Sequence, residues 1–197
     1  VGLLTPGSGR VLVDGVDIAT SLRAWQNNIG YVPQSPYLLD DTLRRNIAFG
    51  VPDEQIDEAA IAEAIRMARL TDLVAKLPNG LDTEIGERGV RISGGQRQRI
   101  VIARALYRRP SVLVFDEATS ELDNVTEIEI ASEIDSLSGE KTVIVVAHRM
   151  TTVRNCDLIL FMIDGRIADI GRYDDLLARN PEFARLTTSA ENSPATG

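Results

Sequence analysis

Apolar positions along this chain switch between two periods. Val11–Val13 and Ile29–Val32 are short apolar runs that predict strands. From about Asp41 to Tyr107 the pattern turns helical, with Ile61, Ala64, Ile65 and Ala68 falling on one helix face. An irregular segment, Leu77 through Gly89, interrupts it, and a new helix is predicted from Ser93-Gly94-Gly95-Gln96 through Ala105. Beyond Pro110, Val112–Phe115 is a continuous apolar run, the pattern of a central parallel strand. Thr126 to Leu137 is helical, and Thr142–Ala147 is a second apolar, β-branched strand. Leu158–Ile163 and Arg166–Ile170 flank an Asp164-Gly165 turn as a hairpin, with a helix near Tyr173–Ala178. The tail Ser189–Gly197 has the small, polar composition of a disordered end. No internal repeat is apparent, and the alternation predicts an α/β sheet with a mainly helical insertion.

Composition narrows the class without choosing a function. The 197 residues suit one ordinary domain with a real core, and 44% hydrophobic with 25% charged residues is normal for a globular protein. A net charge of -8 argues against a nucleic-acid surface. The single cysteine, Cys156, excludes a disulfide scaffold and reads as a packing residue. No run approaches the ~20 apolar residues of a membrane span. The chain begins on an apolar stretch without Met, as a fragment does.

The first residues pose a question. Gly2 and Gly7 have the spacing of a phosphate loop, G-x-x-x-x-G-K-[ST], but Ser8 and Gly9 stand where lysine and a hydroxyl residue belong. A phosphate loop must also lead from a strand into a helix. Here Arg10–Val13 and the Asp14-Gly15 turn follow instead, so Thr5–Gly9 reads as a turn feeding a strand.

Four features carry chemistry. The strand Val112–Phe115 ends in Asp116-Glu117, which places two carboxylates at the carboxyl edge of a sheet, where α/β proteins bind ligands. Asp116 suits Mg²⁺ beside phosphates, and Glu117 could deprotonate an attacking water; the alternative is a solvated acidic turn. Ser93-Gly94-Gly95-Gln96 opens a helix, where glycines admit a phosphate and the helix dipole favours an anion; the alternative is a plain N-cap. His148, the sole histidine, follows the strand Val143–Ala147 and could donate to a phosphate oxygen; the alternative is a structural histidine. Gln34 follows the strand ending in Val32 and could reach a metal or water, or merely decorate a turn.

Taken in order, Gln34, Ser93-Gly94-Gly95-Gln96, the strand with Asp116-Glu117, Ser120-Glu121-Leu122-Asp123 and His148 resemble the nucleotide-binding domain of ATP-binding cassette (ABC) transporters, over nearly the whole chain. The resemblance implies an α/β fold: an incomplete P-loop NTPase (RecA-like) core over residues 1–41 and 108–197, with a helical signature-motif subdomain over residues 42–107. It implies that Glu117 is the general base and that His148 contacts the γ-phosphate. Asp116 and Gln34 would attend Mg²⁺, with Gln34 also transmitting to membrane domains. Ser93, Gly94, Gly95 and Gln96 would close over ATP held by the opposite subunit, with Asp123 at the dimer seam. Ile92 replaces the family's usual Leu, and Glu121 replaces its usual Ala, which adds a charge near that seam.

The family also accounts for the first residues. Its phosphate loop and the helix after it, of ~11–12 residues, would lie just upstream of Val1, together with the aromatic residue that stacks on adenine. The expectation is therefore a truncated domain, inactive alone, whose intact form is an ATP hydrolase binding ATP and Mg²⁺. Its partners would be a second nucleotide-binding domain, in a homo- or heterodimer, and transmembrane domains upstream on the same chain, with no nucleic acid. It would work at the cytoplasmic face of a membrane, the inner membrane in a bacterium. Thr83–Gly89 resembles the exporter-type loop, which favours an exporter. An importer ATPase subunit, a soluble non-transport ABC-type ATPase and a partial protein that binds no nucleotide are the other readings.

Overall fold

The computed structural model describes residues 1–86, 90, 92–118, 124–137, 141–147 and 150–191. It divides into two compact units, Val1–Ile144 and Val145–Gly197. In the first unit, residues 2–9 hold neither strand nor helix and lead into a small antiparallel hairpin, β1 (Leu12–Val13) and β2 (Val16–Asp17). Asp14 and Gly15 join the strands, both at positive φ (50° and 78°). Two consecutive left-handed residues are what a type I′ hairpin needs, and Asp-Gly supplies them cheaply. The near-match to a phosphate loop thus lies in an irregular lead-in to a hairpin, as the residues around it predicted.

The chain continues through α1 (Leu22–Asn27), β3 (Ile29–Val32) and β4 (Asp41–Thr42) to α2 (Leu43–Ile47), α3 (Glu58–Met67) and α4 (Thr71–Lys76). After β5 (Glu84–Ile85) come the long helix α5 (Gly94–Tyr107), β6 (Val112–Asp116), α6 (Asn124–Leu137) and β7 (Thr142–Val146). The helices start where the sequence supplies caps. The Thr42 hydroxyl accepts from the Arg45 amide, and the Asp57 carboxylate accepts from the amides of Ala59 and Ala60. Helix α3 buries Ala60, Ile61, Ala64 and Ile65 and packs along α5, which buries Ile100, Val101, Ile102 and Ala103. Ion pairs join the outer surface, among them Arg44 to Asp82 and Glu58, Arg45 to Asp53, and Arg109 to Glu63.

Strands β3, β6 and β7 form one sheet in that order, with β3 and β6 parallel. Ile29 stands opposite Val112 and Val32 opposite Phe115, so the two strands end level. Helix α5 crosses β3 closely: a Cβ on Gly30 would lie 2.7 Å from the Ala105 carbonyl oxygen. Strand β7 departs from the buried strand its apolar run suggests, because Thr142, Ile144 and Val146 are exposed. Nothing among the described residues covers that face.

The second unit holds α7 (Met150–Val153), a hairpin of β8 (Ile159–Ile163) and β9 (Arg166–Gly171), α8 (Tyr173–Arg179) and α9 (Pro181–Glu191). Ile159 and Phe161 on one face of the hairpin join Tyr173, Leu176 and Phe183 in a small core. The Phe183 ring meets Phe161 and Tyr173 edge-on, at 5.4 and 5.7 Å between centroids. The predicted hairpin and helix are therefore present. Of the tail expected to be disordered, Ser189–Glu191 are instead the last residues of α9. Residues 192–197 lie outside the described residues.

Candidate functional site

The level ends of β3 and β6 bring the predicted residues together. Gln34 lies two positions beyond Val32, and Glu117 two beyond Phe115, the register partner of Val32. Equal offsets from a paired position leave the two side chains facing each other. Gln34 Nε2 donates to Glu117 Oε2 at 2.9 Å. Glu117 sits at φ +49°, the left-handed region that a non-glycine residue enters at a cost of roughly 1–2 kcal/mol. The backbone turns sharply there, directly after the last strand residue, and strain of this kind concentrates at functional positions.

Asp116 has a partner that the sequence did not reveal. Tyr31 stands opposite Val114, and strand alternation puts Tyr31, Val114 and Asp116 on one face of the sheet. The tyrosine is long enough to reach its diagonal neighbour, and its hydroxyl donates to Asp116 Oδ2 at 2.7 Å. That bond to the carboxylate, with smaller contributions from burial and from the charge itself, raises the tyrosine's pKa. Tyr31 therefore remains a protonated donor that orients Asp116. Only the strand register could have disclosed it, because Tyr31 and Asp116 are far apart in sequence.

Ser93, Gly94, Gly95 and Gln96 form the start of α5. The Ser93 hydroxyl accepts from the Gln96 amide at 3.2 Å, and Gln96 Oε1 accepts from the Ser93 amide at 3.0 Å. This is a reciprocal capping box. It satisfies one of the orphan amides of the first turn and leaves those of Gly94 and Gly95 without an intrahelical acceptor. Gly95 also has a packing reason to be glycine: a Cβ there would lie 2.5 Å from Thr126 Cγ2 on α6. Further along α5, Arg99 Nη2 binds Glu129 and Glu133 of α6 at 2.7 and 3.0 Å. The polar run after Gln96 thus locks α5 to α6. Asp123 and His148 lie outside the described residues, as do Ser120, Glu121 and Glu87–Gly89.

Comparison with known proteins shows the family. The family model described as ABC transporter matches residues 1–120. The chain is 42% identical over 183 residues to an ATP-dependent lipid A-core flippase of Cupriavidus pinatubonensis, covering 92% of this chain and 31% of that protein. It is 44% identical over 185 residues to an ATM1-type heavy metal exporter of Novosphingobium aromaticivorans, covering 92% of this chain and 30% of that protein. A solved bacterial Atm1-family ABC exporter with ATP bound superposes with a TM-score of 0.81 at 40% identity, covering 96% of this chain and 33% of that one. The chain thus spans about a third of the length of these relatives. Its fold is the α/β core of a P-loop NTPase bearing a helical insertion. With that fold, that sequence likeness and the paired strand ends that hold Gln34 against Glu117, the chain belongs to the ABC transporter family.

Proposed function

We propose that this chain is the ATP-binding and ATP-hydrolysing domain of a membrane exporter, with Glu117 as general base. The observation that carries the reading is the Gln34–Glu117 hydrogen bond at the level carboxyl ends of two parallel strands, beside Asp116 held by Tyr31. Carboxyl strand ends are where open α/β sheets receive ligands. Gln34 holds the Glu117 carboxylate in one orientation, from which it can accept a proton from a water attacking the γ-phosphate. The similarity to a flippase and a heavy metal exporter favours export over import.

The donor set suits Mg²⁺. A carboxylate of Asp116 and an amide oxygen of Gln34 are the few hard oxygens that this ion takes from protein when phosphates and waters complete its shell. Among the described residues, no cluster of three or more His, Cys, Asp or Glu side chains could hold a metal unaided. When bound, the ion would neutralise charge on the phosphates. Tyr31 would keep Asp116 oriented toward it.

The remaining roles follow from sequence position and family. The amides of Gly94 and Gly95, with Ser93 and Gln96, would meet ATP held by a second nucleotide-binding domain. Asp123 would lie at the seam between the two domains, and His148 would contact the γ-phosphate. The core would comprise residues 1–41 and 108–197 and the signature-bearing subdomain residues 42–107. Transmembrane domains would partner the pair, placing it at a cytoplasmic membrane face.

The test is Glu117→Gln in the full-length protein. The amide keeps shape and hydrogen bonding but cannot take a proton, so turnover should fall by roughly 10²–10⁴ while ATP binding persists. Turnover near wild type would remove Glu117 from the role of base.

A further inference from the structure

We infer that Arg104 and Asn46 are positioning residues for Gln34, acting through the segment Tyr37–Thr42. Asn46 is wholly buried on α2, and its side chain is a hub. Its Nδ2 donates to the carbonyls of Leu39 and Thr42 at 3.1 and 3.0 Å, and its Oδ1 accepts from the Leu39 amide at 2.9 Å. Arg104 reaches the same hub from α5. Its Nη2 donates to Asn46 Oδ1 at 3.0 Å, its Nε to the Asn46 carbonyl at 2.8 Å, and its Nη1 to the Tyr37 carbonyl at 2.9 Å. The guanidinium carbon lies 5.0 Å from the centre of the Phe49 ring.

This pairing is unusual for a largely desolvated cation. Burial lowers the pKa of Arg104, and its hydrogen bonds go to neutral carbonyl and amide oxygens. A well-packed apolar residue would often serve stability as well or better. What the guanidinium adds is geometry, because its planar fork fixes three acceptors at once. On its other side the segment is held by the pairing of β4 with β5.

Sequence then stiffens the path to Gln34. The stretch reads Val32-Pro33-Gln34-Ser35-Pro36-Tyr37, with a proline on each side of the glutamine. Pro36 fixes its own φ and confines Ser35 to extended backbone. Between strand β3 and the anchored Tyr37 carbonyl, little conformational freedom remains. A change in how α5 holds Tyr37 is therefore passed to Gln34, and from Gln34 to the Glu117 carboxylate it orients. Helix α5 is capped by Ser93, so the element that holds the Tyr37 carbonyl also carries the other group of predicted site residues.

The inference rests on the proposed hydrolytic role of Glu117, and the experiment separates the two. In the full-length protein, Arg104→Lys keeps the charge and loses the fork. A misplacement of about 1 Å away from the chemistry can cost about a hundredfold, so a partial loosening should lower kcat about tenfold. KM for ATP should rise by less than kcat falls, since Ser93, Gly94, Gly95 and Gln96 are untouched and Gln34, assigned to Mg²⁺, is loosened without being removed. Combined with Gln34→Ala, the loss should be no larger than that of the worse single variant. Hydrogen exchange at Leu39–Thr42 should accelerate in Arg104→Lys while β6 stays protected.

Pro36→Ala loosens the link without disturbing the buried hub, so it should also lower kcat by more than it raises KM, even where Arg104→Lys fails to fold. Multiplying losses in the double variant, unchanged exchange at Leu39, or a wild-type kcat in Pro36→Ala would each overturn the inference. If Glu117→Gln turns over normally in the same assay, the hydrolytic reading fails instead.

Discussion

The segment from Asp41 to Tyr107 and the strands β7 to β9 are both rich in apolar residues, yet they treat them in opposite ways. In the helical segment Leu43, Ile47, Ile61 and Ile100 have no exposed surface, and α5 comes close to the sheet where Gly30 lets it approach. On the β8–β9 hairpin, one face is packed and the other is open. The open face is made of two cross-strand pairs, Leu160 with Ile170 and Met162 with Ile167, each residue about half exposed. A helix with one apolar stripe can be satisfied by a single neighbour. A strand that is apolar on both faces needs a layer on each side. The helical segment carries its partners within itself, and these strands do not.

Core truncations give the widest contrast. In the polypeptide of these 197 residues, Ile61→Ala should cost about 2–5 kcal/mol, because a wholly buried side chain leaves a cavity behind. Leu160→Ala should cost less than about 1 kcal/mol, since half of its surface already meets water. Urea unfolding of both variants checks this. Equal costs would show that the open hairpin face is covered in solution, and the contrast would collapse. A large cost for Leu160→Ala only in a polypeptide as long as the relatives would place the cover outside these residues.

A smaller effect tests how tightly the closed region is packed. Gly95→Ala puts a methyl 2.5 Å from Thr126 Cγ2, an overlap that should cost about 1–3 kcal/mol. Thr126→Ser removes that methyl carbon, so the double variant should regain most of the loss. If Gly95→Ala is tolerated alone, α6 can move away from α5 despite the ion pairs of Arg99 with Glu129 and Glu133.

The same contrast explains what could be read from the sequence. Strand Ile29–Val32, the helix over Ile61 and Ile65, the start of α5 at Ser93 and the hairpin at Asp164-Gly165 were legible, because each is a local pattern with its own cap or turn. Gln34, Asp116 and Glu117 were legible as chemistry, since apolar strands ending in polar residues mark a sheet edge. Tyr31 was not, because its bond to Asp116 depends on which residue of β3 faces which residue of β6. Arg104 was hidden for a similar reason: two of its three acceptors are backbone carbonyls, which leave no trace in side-chain identity, and the third, Asn46 Oδ1, is far away in sequence. The exposed face of β7 was not legible, because an apolar run reports what a strand could bury, not whether a layer is present to bury it.

The hairpin's open face can be polished without harming its packed one. Leu160→Thr combined with Met162→Thr keeps strand-favouring or small side chains, and should change stability by no more than about 0.5 kcal/mol per position. Binding of a dye that lights up on apolar surface should fall in the 197-residue polypeptide. A strong loss of stability would mean that the two faces are not independent, so that the packed core around Phe183 relies on the open side.

The smallest effect concerns the ion pairs that close the outer edge of each region. On the hairpin unit, Arg179 Nη2 donates to Asp169 Oδ1 at 2.7 Å, and Asn180 Nδ2 donates to Oδ2 at 3.2 Å. The guanidinium bond first, then the amide of Asn180, lower the Asp169 pKa to about 2. This lies below the ~3.9 of an unfolded aspartate. A depressed folded value means that the stabilisation is fully present above the unfolded pKa and is lost as pH falls through the folded one. The window is therefore about pH 4 down to about 2. In the helical segment Asp53 and Asp82 are lowered in the same direction by Arg45 and Arg44, so both regions should weaken together in acid. Arg179→Met should return the Asp169 carboxyl toward its ordinary value, read by carbon NMR titration, with little change in stability at neutral pH because the pair is solvent-exposed. If Asp169 stays near its original value in that variant, Asn180 and the Ile170 amide hold the charge. The link from β9 to α8 would then be a matter of hydrogen bonding, indifferent to salt, while the arginine pairs of the helical segment would still weaken as salt is added.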